Sequence, residues 1–415
     1  MPFRFSAAPV RPAALAVAAA LALVLSACQD PSGVGLGLLG EDGGTPTGTV
    51  IAADSVELRA DDLPFTGGYG DGSSGVRAQT RVLVGRVEDP LVGTATAQAY
   101  IDLRPPATIP GDYREHDITS VTLRLRRDYV YGDSTAEFTV RLHPISADWD
   151  PLGLKPDTAL AVGDFIAEYT VSATDTLVQM RLPDAWVEAN QEALQDEDFV
   201  SEFHGFRLSV DDAGAGSPGA VFGFRTVSPT TFPSIMRVVT PEETVDYPIS
   251  ETFTGLEWSD PPLSPTDRII LRTGDSGLLS FTFSLDDVDS LAVAGGAIRM
   301  NIDRTLIEND GVFVRHLPPA ASLYGIADDE DSTRVFITSA TIDEDEDVLT
   351  FASSALTALL QQALFGDPAF VRYEVALSVS PLGVGFLPIV IGPVPATPTE
   401  DRRPRVTLTG IPTPR

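Results

Sequence analysis

From Val50 onward, apolar and polar positions alternate in short runs broken by Gly, Pro and Asp. The runs include VTLRLRR (121–127), FTVRLHPI (138–145), LVQMRL (177–182), FRLSV (206–210) and IMRVV (235–239). In the first of these, Val121, Leu123 and Leu125 share one side and Thr122, Arg124 and Arg126 the other. A period of two marks an antiparallel strand with one face in the core and one toward water. Many such runs separated by turn residues predict a mainly β protein of the sandwich type. One segment follows helical spacing instead. In DAWVEANQEALQ (184–195), Asp184 follows Pro183 and is placed to cap. Trp186 or Val187 forms an approximate stripe with Ala189, Ala193 and Leu194.

The second half of the chain repeats this order. SVTLRL (120–125) corresponds to GAIRMN (296–301), and the helix at 184–195 to SSALTALLQQALF (353–365), where Ser353 or Ser354 is the expected cap. RLSV (207–210) corresponds to ALSV (376–379), and SIMRV (234–238) to PRVTL (404–408). The pattern predicts two tandem β-sandwich domains, 50–245 and 268–412, each with one short helix. A Pro-rich linker is expected over 246–267, which includes SDPPLSP.

Before the strands comes a different kind of segment. Arg4 and Arg11 precede an unbroken apolar run, Pro12 to Leu25, too short to span a bilayer and ending in small residues. It reads as a signal peptide over 1–27. Its end, Leu25-Ser26-Ala27-Cys28, resembles the lipobox of bacterial lipoproteins, and Cys28 is the only cysteine of the chain. The resemblance implies cleavage before Cys28 and lipidation on it, with the lipid as membrane anchor and the bacterial envelope, at the outer membrane, as location. Residues 28–49 are Gly-rich and read as a flexible tether.

Composition narrows the function classes. The 415 residues carry 28 Lys+Arg against 59 Asp+Glu, a formal charge of −31. Such acidity excludes a broad phosphate-binding surface, so nucleic acid is not an expected partner. One cysteine excludes an intrachain disulfide framework and a Cys-cluster metal site. Lys155 is the only lysine, which fits an Arg-favouring genome; the excess of acid also fits adaptation to high salt.

Three stretches carry a family resemblance. VLVGRVEDPLVGTATAQAYIDL (82–103) holds Gly85, Asp89, Pro90, Gly93 and Ala97 in a spacing similar to that of uncharacterised Bacteroidota surface lipoproteins. SVTLRLRRDYVYGDSTAEFTVRLHPISADWD (120–150), and the helix followed by FHGFRL (203–208), resemble DNRLRE-type surface modules. Those are jelly-roll-like sandwiches related to carbohydrate-binding modules. The resemblance implies jelly-roll-like domains in a non-catalytic surface protein, with glycans or envelope proteins as partners, and supplies no catalytic residue.

The chemistry available to the chain is sparse. Gly274-Asp275-Ser276-Gly277 matches the tetrapeptide around the nucleophile of trypsin-like proteases. The usual His motif is absent, and a tight turn explains the residues equally well. Trp149, Tyr129 and Tyr131 are the aromatic residues expected to stack on sugars, the tyrosines beside a turn at Gly132-Asp133; core packing is the alternative. Trp186 is expected in a helix-to-sheet contact and Trp258 in the linker. Asp343, Asp345 and Asp347 lie in an acidic run whose carboxylates are candidates for a structural Ca²⁺. The alternative to a binding module is a polysaccharide-active hydrolase whose carboxylate pair is assembled only in space.

Overall fold

The structure is a computed structural model. It describes residues 47–60, 80–91, 93–151, 154, 157–210, 219–226, 234–258, 269–271, 277–286, 288, 291–304, 311–328, 333–343, 346–378, 389–391 and 403–412. The expected signal peptide, Cys28 and the expected tether up to residue 46 lie outside these residues, as do Gly274, Asp275, Ser276 and Asp345. The chain is mainly β. In order, the strands are β1 (Thr47–Ala52), β2 (Ser55–Ala60), β3 (Arg81–Asp89), β4 (Gly93–Leu103), β5 (Ser120–Asp133), β6 (Glu137–Pro144), β7 (Ala167–Ser172), β8 (Leu177–Arg181), β9 (Phe206–Val210), β10 (Ala220–Arg225) and β11 (Ile235–Val239). The series continues with β12 (Thr244–Trp258), β13 (Ile269–Leu271), β14 (Gly277–Thr282), β15 (Leu291–Asn301), β16 (Phe313–Val314), β17 (Ala320–Ile326), β18 (Arg334–Thr341), β19 (Val348–Ala352), β20 (Arg372–Ser378), β21 (Ile389–Ile391) and β22 (Arg405–Pro412). Helices α1 (Asp184–Gln195), the single turn α2 (Phe199–Glu202) and α3 (Ser354–Leu364) interrupt them.

The antiparallel sheets are consistent with a β-sandwich, and burial follows the alternation. Val121, Leu123 and Leu125 on β5 are fully buried, and they meet Met180, Phe206, Phe222, Met236 and Tyr247 in one large core. A second large core gathers Phe281, Ile298, Met300, Leu323, Phe351, Val406 and Leu408, closed by Leu356 and Leu360 of α3. The helix lies close because Gly296 on β15 has no side chain; a Cβ there would come within 2.6 Å of Leu360. Ser353 caps α3 by accepting from the Leu356 amide. Asp184 does not cap α1 as expected. Pro183 holds the cap position without a side-chain bond, and Asp184 engages Arg181 at 3.1 Å.

The repeat is visible in the pairing. Strand β5 lies between β8 and β11, and β15 lies between β19 and β22. Leu123 stands opposite both Met180 and Met236, as Ile298 stands opposite Phe351 and Val406. The strands therefore correspond one residue away from the sequence match, which had set Ile298 against Thr122. In a strand that single step decides which face enters the core. Likewise β9 joins β4 to β6, and β20 joins β14 to β17.

Both expected boundaries are corrected. Residues 47–49, expected in the tether, are strand, and residues 50–60 do not belong with the first half: β1 pairs with β22 and β2 with β14, and Ala53 is buried in the second core. Residues 246–258 are not linker but part of β12, which pairs first with β11 and then with β4. Pro248 is tolerated because it falls where β12 leaves one ladder for the other, so its missing N–H breaks neither.

Candidate functional site

The three aromatic residues expected to face sugars are interior. On β5 a bulge decides which buried side they take. Gly223 pairs with Tyr129 but Phe224 pairs with Arg127, so Asp128 is the extra residue. The insertion reverses the phase of the strand. Val130 joins the first core, whereas Tyr129 and Tyr131 turn to its opposite side. There they join Leu83, Val87, Ala95, Ala97, Val221 and Leu256 in a third cluster. Leu91 and Ile270 pack on both this cluster and the second core, so the two halves meet here. The turn lies beyond Asp133, whose carboxylate accepts from the Thr135 amide and hydroxyl, each at 2.7 Å.

A buried polar network crosses the same junction. Asp89 ends β3, and its carboxylate accepts from the Tyr131 hydroxyl at 2.6 Å and the Leu91 amide at 2.7 Å. Arg315, just past β16, donates to both carboxylate oxygens at 2.8 and 3.0 Å. Burial pushes the Tyr131 phenol well above its ordinary range, and the Asp89 charge adds to the shift. Beside it, Arg81 forms a two-bond pair with Asp128 at 2.8 and 2.9 Å and lies over the Tyr129 ring. The Tyr129 ring also meets His316 at 4.8 Å between ring centroids, and His316 Nε2 is 2.9 Å from the Val130 carbonyl. The Gly85, Asp89, Gly93 and Ala97 spacing thus serves architecture. Asp89 pairs with Gly93 across the β3–β4 turn, and Gly85 pairs with Ala97. A Cβ on Gly85, whose φ is +137°, would stand 2.4 Å from the Ala220 carbonyl.

Trp149 is buried too, with Tyr100, Ile145 and Phe253. Its Nε1 donates to the His204 carbonyl at 3.0 Å and its amide to Asp148 Oδ1 at 3.0 Å. The expectation of a sugar platform at Trp149, Tyr129 and Tyr131 is corrected: their faces are covered. Trp186 packs as expected between helix and sheet, with its ring near Phe203 and Phe206. Trp258 ends β12, and its side chain lies outside the described residues.

The environment of Trp149 holds a carboxylate group that sequence reading did not single out. The β12–β4 register shifts between Ile249 and Thr252, which places Ser250 and Glu251 opposite Asp102. Burial raises Asp102 to about 7, with the charges of Glu251 and Asp148 adding and the Leu103 amide opposing. That amide donates to Asp102 Oδ1 at 2.7 Å. Gly205, at φ +87°, allows the close approach on the other side; a Cβ there would meet the Ile101 carbonyl at 1.9 Å. An acid poised near neutrality beside other carboxylates can hold or deliver a proton. The only sequence sign of it is Asp102 closing an otherwise apolar run, AYIDL.

The acidic run near 343 is held by an arginine. Arg304 Nε lies 2.9 Å from Asp347 Oδ1, and Arg304 also donates to the Asp343 and Glu346 carbonyls. Among the described residues no group of three or more His, Cys, Asp or Glu could hold a metal ion. Among them, also, no helix is long and apolar enough to cross a membrane.

No protein-family model matches the chain, and no curated protein matches it. Solved structures similar to it include a protein from Parabacteroides distasonis described as secreted, 9% identical, with 85% of this chain and 99% of that one covered, at a TM-score of 0.18. Another is the Macrobrachium rosenbergii nodavirus, 8% identical, covering 89% of this chain and 99% of that one at a TM-score of 0.11. At such scores neither likeness carries an argument.

Proposed function

We propose that the chain is a lipid-anchored protein of the bacterial envelope, held at the outer membrane through Cys28, that acts as a non-catalytic binding and structural module toward glycans or envelope proteins. The observation that supports this reading is the junction of Asp89, Tyr131 and Arg315. The segment 313–315 joins the first sheet through the β16–β5 pairing, and the buried Asp89–Arg315 pair holds it there, because parting them would strand a desolvated charge. A structural or display role needs such stiffness. The test uses the mature protein on a glycan array, together with acyl labelling of Cys28 in a bacterial host. Binding without product release, and a label lost in Cys28→Ser, support the reading; label retained in Cys28→Ser overturns the anchor.

A second reading draws on Asp102. An acid that keeps its proton to about pH 7 beside Glu251 and Asp148 has the character of a glycosidase general acid with a carboxylate partner. Sugar release from a polysaccharide, abolished by Asp102→Asn, would favour the hydrolase over the binding module.

A further inference from the structure

Strand β12 has a counterpart. It sets Val245 opposite Val238 and Tyr247 opposite Met236 on β11, then Thr252 opposite Ile101 and Thr254 opposite Ala99 on β4. Strands β1 and β2 do the same in the second half. Thr49 stands opposite Leu408 and Ile51 opposite Val406 on β22, then Val56 opposite Phe281 and Leu58 opposite Leu279 on β14. Since β22 corresponds to β11 and β14 to β4, Thr49, Ile51, Val56 and Leu58 take the places of Val245, Tyr247, Thr252 and Thr254 without insertion or gap. Each is also the strand that leads into a half: β1 and β2 precede β3, and β12 precedes β13. Each leader strand therefore completes the other half, not its own.

We propose that the groove between β22 and β14 is a strand-acceptor site, and that it also takes residues 47–60 of a second copy of this chain, so that copies associate by exchanging this strand. Three observations point this way. The exchange already occurs once within the chain, so the two grooves accept leaders in the same register. The native leader is lightly held. Thr47, Gly48 and Val50 are exposed, Ile51 and Val56 are half-buried against the second core, and Ala53 is the one buried residue among 47–57, whereas β12 buries Val245, Tyr247, Phe253 and Leu256. Withdrawal of residues 47–57 would thus uncover fewer fully buried side chains than withdrawal of β12, but withdrawal of the leader would leave bare edges on β22 and β14, in two sheets at once. Only a strand of the same register repairs both. Residues 61–79 connect the leader to β3, and at about 3.4 Å per residue they can extend to roughly 65 Å. That reach allows a neighbouring copy to be served.

The test is disulfide trapping in a Cys28→Ser background, which removes the only native thiol. Val50 and Thr407 are directly paired, and Val50 is 58% exposed, so Val50→Cys and Thr407→Cys leave the core intact. A tagged Val50→Cys chain is mixed with an untagged Thr407→Cys chain, warmed below the unfolding midpoint and oxidised. The expected product is a mixed dimer in several-fold excess over either self-dimer. The double variant in one chain should close internally, and once closed should no longer enter mixed dimers. Internal closure of the double variant with no mixed dimer from the single variants would overturn the proposal. Failure of the double variant to close, even with a short bismaleimide, would remove its structural basis and overturn it as well.

Discussion

Asp89 and Arg315 stand 226 positions apart and meet through two hydrogen bonds, Nε to Oδ2 at 2.8 Å and Nη2 to Oδ1 at 3.0 Å. The Asp89 side chain is fully buried, so its charge has no solvent to fall back on. Arg315→Ala is expected to cost about 3–5 kcal/mol, most of it from the carboxylate left unpaired. Tyr131→Phe removes one bond to the same group and is expected to cost about 1.5–3 kcal/mol. Urea unfolding measures both. An Arg315→Ala cost below about 1 kcal/mol, the range of an exposed pair, would mean that the junction is solvated and contributes no stiffness.

The pH dependence of stability should carry the mark of Asp102. Its folded pKa, about 7, lies above the ordinary value of 3.8, so the folded protein keeps a proton that the unfolded chain has lost. Stability from this group is therefore greatest at low pH, falls between about pH 4 and 7, and is level above. Asp102→Asn keeps an acceptor for the Leu103 amide but cannot ionise. Its thermal midpoint should match the parent near pH 4 and exceed it at pH 8, by an equivalent of roughly 2–4 kcal/mol. A parent that gains on Asp102→Asn as pH rises would contradict the burial of this carboxyl.

Two glycines with left-handed backbones should respond differently to the same substitution. Gly205→Ala puts a methyl group against the Ile101 carbonyl and should cost more than about 2–3 kcal/mol. Gly366, at φ +81°, has open space around it, and Gly366→Ala should cost only the backbone strain of about 1–2 kcal/mol. Equal costs in chemical denaturation would show that the close approach at Asp102 relaxes freely.

Helix capping gives a third contrast. Ser353→Ala removes the bond to the Leu356 amide and should cost about 1 kcal/mol. Asp184→Ala breaks only an exposed pair with Arg181, so it should cost at most about 0.5 kcal/mol. The reverse order would return the capping role to Asp184.

Salt should stabilise the chain, since a formal charge of −31 repels itself in the compact state. The thermal midpoint is expected to rise with NaCl and to level off within a few tenths molar, as the Debye length falls below about 10 Å. A rise continuing to molar salt would indicate specific adaptation. At equal ionic strength CaCl₂ and NaCl should give the same midpoint, because Arg304 already engages Asp347 and the Asp343 and Glu346 carbonyls. A higher midpoint in CaCl₂ would support the Asp343–Asp347 run as a cation site.

Local pattern was legible where local forces decide. Alternation placed β5, β6, β8, β9 and β11, helical spacing placed α1, and the recurrence of elements in the second half placed α3. These elements each bury one face, and the period of that face is written in neighbouring residues. The order of elements was also enough to reveal the repeat, since β5, α1, β9 and β11 recur as β15, α3, β20 and β22.

Residues alone thus fixed a mainly β chain with recurring elements and an acidic composition. Tertiary structure alone decided three further matters. One inserted residue, Asp128, turned Tyr129 and Tyr131 from the face of the first core to the opposite face, where the third cluster covers them, because a period of two has no tolerance for a shift of one. A bulge at Ser250 and Glu251 brought a second carboxylate to Asp102 from 149 positions away, which no local spacing encodes. Pairing between distant strands gave β1 and β2 to the second half and β12 to the first. Backbone hydrogen bonds carry no side-chain signature, so which edge a strand completes is settled only when the whole chain has closed its ladders.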